Sequence, residues 1–198
     1  MSTVNSFFYF HDRTGLTLRQ KYVTMEALLN QFHIEGRVSR KSRETFLFDN
    51  NFAVGMIIAG SLTKYLYSSS QIHSMTTGPV ILGPWTFRTK QRLIETAKLM
   101  DSEFAVHYHN HPLYTPLSVN SSGVVGGIGA YPRHNDTEYK IFCTFHDWLH
   151  SIKLVQTTGK VCIYTKLQPC LSCQKVAADF IGNFPNIDVN FYFDQQCY

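Results

Sequence analysis

The sequence predicts a layered α/β fold, a central mixed β-sheet with helices packed on it. Three observations carry that reading. From about residue 103 onward, strand-like and helix-like segments follow in the order strand, strand, helix, strand, helix, strand. The two helical segments start at residues that favour helix starts, Asp136 and Pro169. The chain has 198 residues, 44% of them apolar and 14% aromatic, enough to bury a sizeable core that includes a sheet.

The elements are read in order as follows. Leu16 to Phe32 places apolar residues at helical spacing. Thr45 to Gly60 alternates and then runs apolar, which predicts strands. The segment 68–79, "SSSQIHSMTTGP", is loop-like. "KQRLIETAKLM" (90–100) holds good helix formers without Gly or Pro. "EFAVHYHN" (103–110) and "GVVGGIGAYP" (123–132) read as two strands of a hairpin. Apolar residues from Tyr139 to Ile152 recur near helical period within 136–152, and Trp148 among them reads as core. "GKVCIYTKL" (159–167) is a strand, 170–184 a helix, and "NIDVNFYF" (186–193) a final strand. The organisation expected is an N-terminal mixed α/β extension over 1–100 and a core over 101–198, or one continuous domain.

The net charge of +4 permits a phosphate-bearing partner without demanding one. "MSTVNSFFYFHDRTG" does not read as a signal peptide, and the longest apolar run, Phe52 to Gly60, is too short to span a bilayer. The expectation is a soluble chain with no membrane partner. The basic stretch "GRVSRKSRE" (36–44) reads as a solvated loop or as a track for a phosphate backbone. Trp85, in "GPWTF", has no partner the sequence identifies.

Five cysteines, unevenly spaced, do not form a disulfide framework. Cys143 and Cys162 lie in apolar patterns and read as small core residues. The stretch "QPCLSC" needs another explanation. A lone C-x-x-C is a redox dithiol, half of a structural zinc site, or part of a catalytic zinc site with three protein ligands and an open position. A second C-x-x-C is missing, so a structural site lacks ligands unless the histidines of "HYHNHP" complete it. A catalytic site needs one more ligand and a nearby carboxylate, and "HNDTEYK" offers Asp136 and Glu138. Helices packed on one face of a sheet both start at the carboxyl ends of strands, where ligands bind. Cys170 and Cys173, spaced i and i+3, put both sulfurs on one side of a first turn. Taken alone, Asp136 is an N-cap and Glu138 a helix-dipole residue.

"DTE" followed by "PCLSC" resembles the zinc-dependent cytidine deaminase superfamily, whose signature is H-x-E followed by P-C-x-x-C. The likeness is nearest to bacterial toxin-type nucleic-acid deaminases. It runs over roughly 103–194, through the Gly-rich "GAYP" stretch, the "GKVCIYT … PCLSC" strand and turn, and the ending "FPNIDV". It implies a deaminase fold with the zinc site at two helix N-termini and one catalytic Zn2+ on Asp136, Cys170 and Cys173. It further implies zinc-hydroxide attack at C4 of cytosine, with Glu138 as proton shuttle, and substrate contacts from His109, Tyr131, His134, Pro169 and Ser172. The substrate implied is nucleic acid, single-stranded DNA ahead of duplex DNA or RNA, read by an unstacked base. Toxin-type relatives also imply an immunity protein, and cytoplasmic action after secretion or delivery as part of a toxin.

The sequence departs from the family pattern twice. Position 136 is Asp where the family carries His or Cys; the third ligand is Asp136, which keeps the x-E spacing, or the nearby His134. The chain also ends soon after the fourth strand of the core, where many relatives continue with another helix and strand. Three other function classes stay open: a free cytidine or nucleotide deaminase, a nucleic-acid-binding module with weak or no catalysis, and a JAMM-like zinc isopeptidase. The last rests on "HNHP" with His109, His111 and Ser118, but no Asp stands at the spacing it needs.

Overall fold

The computed structural model describes residues 2–36, 52–70, 87–105, 113–120 and 124–196. Among these, β1 (Val4–Phe8) leads through a short 3-10 turn into helix α1 (Arg13–Ile34). Strands β2 (Phe52–Ala59) and β3 (Leu62–Ser69), helix α2 (Phe87–Leu99) and strand β4 (Glu103–Ala105) follow. Then come β5 (Ser118–Val119), β6 (Tyr131–Pro132), helix α3 (Thr137–Ser151), β7 (Gly159–Leu167), helix α4 (Leu171–Asn183) and β8 (Ile187–Gln195).

One six-stranded sheet runs in the order β1-β8-β7-β2-β3-β4. Strand β2 is antiparallel to both its neighbours, and every other pair is parallel. The sheet is therefore mixed, as the sequence predicts. Its central strand β2 is buried on both faces, which explains the near-continuous apolar run "FAVGMIIA". Alternation along β7 sends Val161 and Ile163 to one face and Cys162 and Tyr164 to the other. The first face carries α3 and α4 through Phe142, Phe145, Val176 and Phe180. The second carries α1 and α2 through Leu18, Tyr22, Met25, Leu29, Leu93 and Ala97. Cys143 and Cys162 are buried core residues, as expected.

Helix α3 lies directly on β2. A Cβ added at Gly55 would meet Ile141 Cγ2 at 2.7 Å, so the helix sits closer than any side chain on that strand position permits. This contact sets where the N-terminus of α3 falls. Helix α1 is anchored differently: the Asp12 carboxylate caps it through Gly15 N at 2.9 Å and accepts from the Tyr192 hydroxyl at 2.8 Å.

The structure corrects the sequence reading at three places. Among the described residues, 103–105 do not pair with 124–132: β4 pairs in parallel with β3 instead. Within 123–132, Gly126 and Gly129 take φ of 65° and 76°, left-handed conformations that interrupt a strand. Tyr131–Pro132 pair with Ser118–Val119, and Val125 adds an isolated bridge to Val119. Trp148 is half-buried at the margin of the core, with Lys64 Nζ 5.7 Å above its ring. The N-terminal segment also supplies a strand that the sequence reading did not assign. Strand β1, from the start of the chain, adds in parallel with Val4 opposite Val189 and Phe8 opposite Phe193.

Gly55→Ala is expected to lower the urea midpoint, at a cost of about 1–3 kcal/mol for overpacking against Ile141. Gly182→Ala, in α4 with nothing within 4 Å, serves as control and is expected to be neutral or slightly stabilising. Equal midpoints for both variants would contradict the close α3–β2 contact.

Candidate active site

Two helix starts meet at one edge of the sheet. Strand β7 ends at Leu167, and three residues later the chain enters α4 with Cys170 at the N-cap position. Before α3, a turn closed by Asp136 N donating to Arg133 O at 3.1 Å puts Asp136 at the equivalent position. Neither side chain caps its own helix. They face each other instead. Asp136 Oδ2 lies 3.9 Å from Cys170 Sγ and 3.7 Å from Cys173 Sγ, and the two sulfurs are 3.3 Å apart. Among the described residues these three form a group of His, Cys, Asp or Glu side chains whose ligand atoms all lie within 4.8 Å of one another. The N-cap expectation for Asp136 thus gives way, because its carboxylate is drawn to the thiols.

The donor set fits zinc. Bonds of about 2.3 Å to sulfur and about 2.1 Å to oxygen give tetrahedral edges of about 3.6–3.8 Å, close to the spacings present. Two thiols and a carboxylate on a rigid pair of helices leave one side of such a tetrahedron for water or substrate.

The electrostatics show how crowded the spot is in the metal-free protein. Burial, then the neighbouring charges of Glu138 and Cys170, push the Asp136 carboxyl up to about 7. Cys170 is pulled down to about 7 by the Cys173 thiol, aided by the backbone N–H groups of Cys173 and Ser172 at the helix start. Cys173 is raised well above the ordinary range, since its thiol donates a hydrogen bond to Cys170 and is buried. Glu138 sits beside this group, its charge acting on all three members. It is 2% exposed, and Thr137 Oγ1 donates to its Oε2 at 2.8 Å.

The other sequence-expected residues fall as follows. His134 does not join the thiols; its ring stands edge-on to Tyr139 at 5.4 Å. Tyr131 is 52% exposed, with the Arg133 guanidinium 4.6 Å over its ring and Arg133 Nη1 donating to its hydroxyl at 2.8 Å. The Pro169 carbonyl accepts from Gln174 Nε2 at 3.1 Å. Ser172 is buried, and its Oγ has no hydrogen-bond partner among the described residues. His109 lies outside the described residues, as do His107, His111, Trp85, Cys197 and the basic stretch 37–44. Sequence reasoning missed Thr137, Arg133 and the fully buried Lys140, whose Nζ donates to Ser69 O at 2.7 Å at the end of β3. The turn "RHND" was the one available signal for Arg133.

In zinc-free protein, alkylation of Cys170 is expected to rise with pH through about 7, well below the ordinary thiol value of 9.0, because the thiolate persists to lower pH. Cys173 is expected to stay unreacted over the same range. Peptide-resolved mass spectrometry across a pH series reads both, and a Cys170 midpoint near 9.0 would refute this account of the site.

Comparison with known proteins adds one finding. The family model described as "Toxin-deaminase: The BURPS668_1122 family of deaminases" matches residues 34–195. The match runs from the last residue of α1 to the end of β8, and takes in both helix starts. No curated protein and no solved structure matches the chain. With both catalytic-type motifs inside the match, the chain belongs to the Toxin-deaminase family, a family of deaminases.

Proposed function

We propose that the protein deaminates cytosine in nucleic acid, with one Zn2+ held by Asp136, Cys170 and Cys173 and with Glu138 as proton shuttle. The observation that carries the proposal is the meeting of those three ligand atoms at two helix N-termini, with buried Glu138 beside them. Zn2+ bound there supplies Lewis acidity, which activates water near neutral pH. Glu138 takes one proton from the attacking water and passes it to the ring N3, then takes the remaining hydroxyl proton of the C4 adduct and passes it to the departing amine. Water adds at C4, the C4–N bond breaks, and ammonia leaves behind uracil. The Thr137 hydroxyl donates to Glu138 Oε2 and helps hold the carboxylate in place.

The half-exposed Tyr131 ring supports stacking on a base outside a helical stack. His134, Pro169 and Ser172 are proposed as further substrate contacts at the same mouth. Single-stranded DNA is the substrate favoured by the aromatic richness of 14% and the modest charge of +4; both fit an unstacked chain better than a stiff duplex. The family supports an immunity protein as a partner, and delivery into the cytoplasm of a target cell as the route to substrate.

The test incubates purified protein with random-context pools of single-stranded DNA, duplex DNA and RNA, and with free cytidine, beside Glu138→Gln. Sequencing is expected to show cytosine-to-uracil conversion greatest in single-stranded DNA and lower by about 10²–10⁴-fold in the variant. Conversion of free cytidine alone would move the substrate to nucleosides. No conversion anywhere, with zinc bound, would overturn the proposal.

A further inference from the structure

The ligand set raises a problem of charge. Asp136, Cys170 and Cys173 must all be deprotonated to bind a metal. Three anionic donors against a dication leave about one net negative charge, where a neutral His in place of Asp136 leaves about none. Uncompensated charge in a largely buried site is costly, because desolvation penalises it. A compensating cation should therefore stand close by.

Arg133 stands there. It lies at i−3 from Asp136, across the turn closed by Asp136 N and Arg133 O. Its Nη1 is 3.7 Å from Asp136 Oδ1. The two carboxylate oxygens are divided between two tasks: Oδ1 faces the guanidinium, and Oδ2 faces both thiols. Both side chains are mostly buried, at 19% and 18% exposure, so solvent screens the pair far less than a surface ion pair. The guanidinium is itself held. Nη1 donates to the Tyr131 hydroxyl at 2.8 Å, Nη2 donates to Asn120 O at 3.2 Å, and the Tyr131 ring lies 4.6 Å from its centre. Its Nε is buried without a hydrogen-bond partner among the described residues. A buried, imperfectly satisfied guanidinium is expensive for a folding role alone, and points to a charge it must face.

We propose that Arg133 is a positioning residue of the metal centre: it turns Asp136 so that one oxygen serves the metal, and it offsets the extra negative charge that an aspartate ligand brings. The inference rests on the zinc reading of this site. It explains how a carboxylate works at a position where the resemblance calls for His or Cys. It also ties the exposed Tyr131 to the metal ligand through one guanidinium, so the mouth of the site and its centre share a part.

The test measures zinc affinity by competition with a chromophoric chelator at one fixed pH. It uses the full chain in five forms: wild type, Arg133→Gln, Arg133→Lys, Asp136→His, and the double variant Asp136→His/Arg133→Gln. Loss of a group that orients a metal ligand weakens binding by about 10–100-fold, and this is expected for Arg133→Gln. Arg133→Lys keeps the charge without the fork and is expected to recover most of that loss. With His at 136 there is no extra charge to offset, so Arg133→Gln is expected to change affinity by less than about threefold. Circular dichroism confirms folding of each form. Wild-type affinity in Arg133→Gln, or an equal loss in both backgrounds, would overturn the proposal, as would unfolding of Arg133→Gln in both. A wild-type chain that takes up no zinc would overturn the zinc reading as well, which separates the two failures.

Discussion

Three side chains that each ionise to an anion, Asp136, Cys170 and Cys173, share one largely buried spot, and the surrounding structure answers that constraint. In the metal-free protein they cannot all be charged. One thiol keeps its proton and the carboxyl moves up toward neutrality, because each negative charge raises the others. Two helix N-termini point their partial positive charge at the spot, and neither uses its first side chain as a cap. At α3 the capping energy that Asp136 could supply, about 1 kcal/mol on the usual scale, is given up. A cation bound among the three groups would satisfy the charges and the helix ends together.

Where the two helix starts land is decided by the sheet. Strands β3, β4, β7 and β8 all run the same way, so their carboxyl ends form one edge, and the helices that follow β4 and β7 begin there. Open α/β sheets bind ligands at such an edge. The direct seat of α3 on Gly55 and the packing of Phe142 on Phe180 between α3 and α4 hold the two starts in register. Lys140, buried two residues after Glu138, ties α3 to the end of β3 at the same edge. The site is therefore built on rigid elements, and its geometry is a consequence of core packing.

Much of this was legible in the sequence. The period-two and period-3.6 patterns from 136 to 195 located α3, β7, α4 and β8 nearly to the residue, because each is long and strongly patterned. The pairing of "DTE" with "PCLSC" located the cluster, because few arrangements place two thiols and a carboxylate at successive helix starts. Segment 123–132 was misread for a physical reason. Its valines and isoleucine favour a strand, but Gly126 and Gly129 occupy conformations that a strand does not use. Arg133 was invisible for another reason: a lone arginine in a turn is ordinary, and only the fold shows which carboxylate oxygen it meets. Long-range pairing of β1 with β8, across some 185 residues of sequence, leaves no local signature at all.

That last pairing bears on what constitutes the working unit. The family match begins where α1 ends, yet β1 and α1 are integral to the packing. Strand β8 buries Val189 and Phe191 toward α3 and α4 and Tyr192 toward α1, so it is apolar on both faces. As an edge strand it would present a bare hydrogen-bonding rim beside those apolar faces, the arrangement that invites association between chains. Strand β1 covers that rim, and Asn5 donates to Asn190 across the pair at 3.1 Å. No residue of β1 is fully buried, and polar Asn5 and Ser6 stand in its middle, so it makes a safer edge than β8. Helix α1 does the same for one sheet face: Leu18, Tyr22, Met25 and Leu29 cover Val54, Met56, Cys162 and Tyr164. Cys170 and Cys173 follow β7, whose second face is this one. A fragment trimmed to residues 34–195 would keep every residue assigned to the chemistry. It would lose the layer that keeps β7, and with it the start of α4, in place.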